Sequence, residues 1–138
     1  MLKSITIVLL VVLSLTIYPQ RGSTEELPIT LDQHLQRIFG DKAEVAKAVL
    51  IHESQGLKLD AKNWNCIYDG KSTFCKKQDR SKAWSVDCGI AQINVRGQIC
   101  PAELLTLEGN MKAVEKIYKT QGLNAWVSYK TKAYLKYL

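Results

Sequence analysis

Among the side chains able to do chemistry, two carboxylates stand out. Glu53 follows Leu50, Val49 and Ala46 by three, four and seven residues, so on a helix it projects from the same apolar stripe, near the C-terminal end. A stripe facing the core has no use for a glutamate. Desolvation and the negative end of the helix dipole both disfavour a charge there, which suits a carboxyl that donates a proton at neutral pH. A glutamate at the rim of the stripe, with its carboxylate in water, accounts for the same spacing. The second carboxylate, Asp87, precedes a segment in which Gln92 and Asn94 share one side of an extended chain. Two carboxylates, amides that can bind hydroxyls, and Trp64, Trp84 and Trp126 for stacking on sugar rings fit cleavage of a glycosidic bond. Core packing is the competing use of each tryptophan.

The elements that must position these groups are mostly helical. Thr30 with Gln33 makes a capping box, and Leu31, Leu35, Ile38 and Phe39 recur at helical spacing up to Gly40. Asp41 with Glu44 repeats that signature, opening the helix that carries Glu53 and that Gly56 should stop. Over residues 57–84 the periodicity disappears and Asn, Asp, Lys and Ser dominate, which predicts a surface insertion around one short hairpin. Residues 90–95 alternate as a short extended segment would. Pro101 opens a helix through Leu107, Asn110 caps another that runs to Gly122, and Asn124 caps a last one. The expected class is mainly α, a helical domain with a small β element.

The chain has 138 residues, enough for one domain, with 19 basic against 13 acidic side chains. Lys3 precedes an apolar run over residues 5–17, shorter than the roughly 20 residues that span a bilayer. Residues 1–24 therefore read as an export signal or an N-terminal membrane anchor, residues 25–40 as a short linker and helix, and residues 41–138 as the functional domain. Without Lys3 and Arg21 the remaining 17 basic residues exceed the 13 acidic ones by four. These charges are scattered, which suits an anionic wall polymer or mere solubility, and does not suit nucleic acid.

Cys66, Cys75, Cys88 and Cys100 all follow the export segment, an even number that implies two disulfides in a secreted, periplasmic or cell-surface protein. Three pairings are open. Cys66 and Cys75 flank an Asp-Gly turn signal, which favours joining them and leaves Cys88 with Cys100. No CxxC occurs and neither His34 nor His52 clusters with the cysteines, so no metal is expected, and no phosphate-binding glycine loop implies a cofactor.

Glu53-Ser54, Ala61-x-Asn63 and Ser85-x-Asp87-x-Gly89-Ile90-x-Gln92-Ile93-Asn94, in that order, resemble the lysozyme-like superfamily, which includes lysozymes and lytic transglycosylases of the SLT type. The resemblance extends through residues 110–118 to the Trp126 region, and the stretch between the Glu and Asp blocks is longer than is usual in the family. It implies an α+β lysozyme-like fold acting, as a monomer, on peptidoglycan glycan strands. It also implies that Glu53 is the general acid, that Ser54, Gln92, Asn94 and Trp126 line the saccharide groove, and that Tyr118 supports the Glu53 side. Asp87 is the second carboxylate if the reaction is hydrolysis, and a turn residue if the sugar's own hydroxyl attacks. A noncatalytic wall-binding module is the alternative from a different class.

Overall fold

The computed structural model describes residues 28–138, so the segment at 1–24 lies outside the described residues. Helix α1 (Leu31–Phe39) starts with the expected capping box: the Thr30 hydroxyl accepts from the Gln33 N–H and the Gln33 side chain accepts from the Thr30 N–H. Asp41 does not cap the second helix. A 3-10 turn (Gly40–Lys42) leads straight into α2 (Ala43–Ser54), which has no side-chain cap. Nor does Gly56 end α2, because Gln55 already takes the left-handed conformation. The stripe of Ala46, Val49 and Leu50 is buried against Leu35, Phe39, Ile90, Met111 and Val114.

Residues 57–84 lie largely at the surface around the expected hairpin, but they are also part of the sheet. They supply β1 (Lys62–Tyr68) and β2 (Lys71–Phe74), a hairpin whose turn residues Asp69 and Gly70 both have positive φ, 51° and 74°, as a tight two-residue turn requires. With β3 (Ser85–Cys88) and β4 (Ile93–Arg96) they make a four-stranded antiparallel sheet in the order β2-β1-β3-β4. The architecture is therefore α+β, with a larger β part than the sequence suggests. Of the expected extended segment at 90–95 only residues 93–95 are strand, within β4, since residues 89–92 form a turn.

The sheet has two unlike faces. Trp64, Val86, Cys88 and Val95 point to a second, smaller core that includes Cys100 and Leu104. Asn63, Asn65, Ser85, Asp87 and Asn94, opposite one another in register, point the other way. Cys66 pairs with Cys75 across the hairpin and Cys88 with Cys100, as the turn signal favours. Two disulfides fit an oxidising compartment. No helix among the described residues is long and apolar enough to cross a membrane.

Asn110 is not a cap either. Thr106 caps α3 (Leu107–Gln121) by accepting from the Gly109 N–H, and a 3-10 turn (Ala102–Leu105) replaces the helix expected after Pro101. Asn110 lies in the first turn of α3, fully buried. It donates to the carbonyls of Cys88 (3.1 Å) and Leu104 (2.7 Å) and accepts from the Ala91 N–H (3.0 Å). Gly89 passes beneath it at φ 70°, where a Cβ would collide with the Asn110 amide and the Leu104 carbonyl. Beyond α3, two 3-10 turns (Gly122–Ala125 and Ala133–Tyr137) flank a single-turn α4 (Val127–Lys130), in place of one helix capped by Asn124.

Replacing Asn110 by Ala removes three buried hydrogen bonds to the backbone, so Asn110→Ala should lower stability by roughly 3 kcal/mol in urea unfolding of the oxidised protein. Asn110→Asp, which cannot donate to the two carbonyls, should not recover it.

At the outer end of β1, the Tyr68 hydroxyl donates to Asp79 at 2.7 Å. That bond, helped by Lys82, holds the Asp79 carboxyl below the usual carboxylate range. Stability from a carboxylate so depressed is present above its unfolded range near ~4 and is lost as pH falls through the folded value. Tyr68→Phe should therefore lower the thermal midpoint at about pH 6, with the gap from the parent protein narrowing as pH falls below about 4.

Candidate active site

Glu53 occupies the last turn of α2, where the helix leaves the core, and is half-buried. Its Oε1 accepts two hydrogen bonds from Ser128, one from the backbone N–H at 3.2 Å and one from the hydroxyl at 2.5 Å. Ser128 is buried in the first turn of α4, so this carboxyl oxygen is fixed by an element 75 residues further along the chain. Oε2 has no hydrogen-bond partner among the described residues and is not buried. One oxygen is anchored, and the other makes no hydrogen bond to the described residues.

Asp87 lines the same cleft, a hollow of about 360 Å³. Gln92, Ile93 and Asn94 approach from the sheet side, while Ile117, Gln121, Trp126 and Val127 approach from the helices. The Asp87 carboxylate is bracketed by its cross-strand neighbours: Asn94 Nδ2 donates to Oδ1 at 2.6 Å and Asn65 Nδ2 donates to Oδ2 at 3.0 Å. The Ser85 hydroxyl accepts from the same two amides, at 3.2 Å from Asn65 and 3.0 Å from Asn94. The pairing register makes this bracket, because Asn65 and Asn94 flank β3 from the two adjacent strands with their side chains on the Ser85 and Asp87 face. A second hollow of about 160 Å³ continues past the two carboxylates and is lined by His52, Gln55, Asn63, Phe74 and Gln92.

Other expected site residues have different work. Gln92 lies in the turn before β4 at φ 51°, not in an extended segment shared with Asn94. It still lines the cleft, but its amide donates to the Gly89 carbonyl and accepts from Asn63, so it shapes the turn and holds Asn63. Ser54 is buried with its hydroxyl donating to the Leu50 carbonyl, which spends it inside the helix. Tyr118 packs on Phe39, ring centroids 4.5 Å apart, and is not part of the cleft lining. Trp126 is only 6% exposed, and its Nε1 donates to the Ala91 carbonyl, so it is a core residue with an edge on the cleft.

The remaining tryptophans lie away from the carboxylates. Trp64 is on the opposite face of the sheet, donating to the Gln98 carbonyl beneath the Arg80 guanidinium. Trp84 is exposed but alternates with Ser85, and so also faces away from Asp87. His52 meets Tyr137 edge-on and also lines the second hollow beside Glu53.

Sequence reasoning missed Asn65 and Ser128. The Asn63-x-Asn65 alternation in β1 is a usable signal once that strand is recognised, whereas Ser128 has no local signal at all. Comparison of the chain with known protein families, with curated proteins and with solved structures finds no match. The chemistry must be read from the cleft itself. It offers a carboxyl on the helical wall with one oxygen that makes no hydrogen bond to the described residues, a rigidly held carboxylate on the sheet wall, and neutral amides around the latter.

Removing the Ser128 hydroxyl takes away the shorter of the two bonds to Glu53. Ser128→Ala should cost about 1.5 kcal/mol in urea unfolding, while Glu53→Gln, whose amide oxygen can still accept, should cost less.

Proposed function

We propose that the protein cleaves the β-1,4 bond between N-acetylmuramic acid and N-acetylglucosamine in peptidoglycan glycan strands, as a lytic transglycosylase with Glu53 as general acid. The observation that carries this reading is the Glu53 carboxyl, pinned by Ser128 through one oxygen and without a hydrogen bond to the described residues at the other, in a cleft that it shares with Asp87. Its support from sequence is the Glu-Ser block followed by the Asp-x-Gly-Ile-x-Gln-Ile-Asn block, which resemble the lysozyme-like superfamily. An acid at a helix end facing a carboxylate on a small sheet, in a disulfide-bonded and exported chain, is consistent with a lysozyme-like fold at work on a cell wall.

In this reading Glu53 Oε2 gives its proton to the bridging oxygen as the bond from C1 of the muramic acid to that oxygen breaks. The departing N-acetylglucosamine keeps the proton as its 4-hydroxyl. On this route the single carboxyl of Glu53 suffices, and Asp87, held on β3 by Asn65 and Asn94, is part of the cleft wall. The muramic acid's 6-hydroxyl closes on C1 and its proton returns to Glu53. The product ends in a 1,6-anhydro ring, no water is consumed, and the acid is regenerated.

The Asp87 bracket favours a second reading, hydrolysis. A carboxylate fixed on the opposite wall is what a lysozyme uses to stabilise the ring while water attacks C1. Mass spectrometry of fragments released from purified peptidoglycan separates the two. Anhydro-muramyl ends are expected, and reducing ends that take up labelled oxygen from water would replace transglycosylation by hydrolysis. Glu53→Gln should cut release by about 10²-fold to 10⁴-fold while leaving wall binding intact. Undiminished release by that variant would sink both readings.

A further inference from the structure

The face of the sheet that carries Asp87 does not end at the carboxylates. In register, Asn65 on β1 stands between Ser85 on β3 and Phe74 on β2, so Phe74 shares the face of Ser85 and Asp87. Phe74 is 66% exposed, yet it lines the hollow that continues past Glu53 and Asp87. Two strand spacings and two residues of rise put it roughly 12 Å from Asp87, further than a single sugar ring extends.

The backbone that carries Phe74 is fixed on both sides of the hairpin. The next residue, Cys75, is bonded to Cys66 and donates its N–H to the Trp64 carbonyl at 2.7 Å, which fixes the end of β2 on β1. The hairpin therefore presents an aromatic ring in the open, on the same wall as Asp87. Ile67, 61% exposed, is on that face one step further out. Flat apolar surface beside hydroxyl-binding amides is the surface that a pyranose ring stacks on.

We infer that the β1–β2 hairpin extends the glycan groove, with Phe74 as the stacking platform for a sugar beyond the two that flank the broken bond. This rests on the glycan-cleaving reading of the cleft. The occupant is a β-1,4-linked N-acetylhexosamine chain long enough to reach from the carboxylates to the hairpin. Phe74 then sets a length preference and takes no part in the bond cleavage.

The test is the binding of β-1,4-linked N-acetylglucosamine trimer and hexamer to full-length Glu53→Gln protein by calorimetry, with and without Phe74→Ala or Phe74→Trp. Phe74→Ala should weaken the hexamer about threefold to tenfold, leave the trimer unchanged, and be rescued by Phe74→Trp. An unchanged hexamer, or an equal loss for trimer and hexamer, would overturn the extension while leaving the cleft's reading in place. Binding of neither oligomer to the protein that retains Phe74 would remove the glycan reading and the extension with it.

Discussion

The buried side chain of Asn110 is where the sheet and the helices are joined. An amide with no exposure satisfies three backbone groups at once, one at the end of β3, one in the turn that follows and one before α3. Loss of that amide would remove three buried hydrogen bonds at once, each contributing about 1 kcal/mol. The contact is close enough that Gly89 must lack a side chain beneath it. Because α3 shares one core with α1 and α2, fixing β3 to α3 also fixes Asp87 relative to the helix that ends at Glu53. The two walls of the cleft keep their positions through this joint, and no direct bond between the carboxylates is needed.

The sheet does two jobs because strands alternate. One face buries Val86, Cys88 and Leu104 in a small core closed by the Cys88–Cys100 bond. The other face is almost free of apolar side chains near Asp87, and its amides are satisfied by Asp87 and Ser85. Such a face contributes little hydrophobic stabilisation. Its rigidity comes from the register of three strands and from the disulfides behind and beside it.

Local signals in the sequence were legible and non-local ones were not. The Thr30 capping box, the Ala46, Val49 and Leu50 stripe, and the Asp-Gly turn with its flanking cysteines each depend on residues a few positions apart, and each appears as expected. The Asp41 box fails because Gly40 lets the chain turn directly from α1 into α2, a tertiary choice that overrides a good local cap. Only the hairpin part of the sheet was legible, because Asn63 and Asn65 are poor strand formers and the pairing of β1 with β3 is non-local. Asn110 reads as a cap by residue type, yet it is taken into the interior by partners 19 and 22 residues away. At the site, Glu53 and Asp87 were legible as carboxylates in odd places, while the roles of Ser54, Tyr118 and Trp126 depend on packing that no spacing encodes.

The bonds from Ser128 to Glu53 cross 75 positions of the chain. Helix α2 and the sheet can both be drawn from residues that precede α3, but the orientation of the acid cannot. As the chain leaves the ribosome, Glu53 is made early and is aimed only after Ser128 has been added and docked. The direction in which the carboxyl points is thus a property of the tertiary contact with α4, not of the helix that carries it.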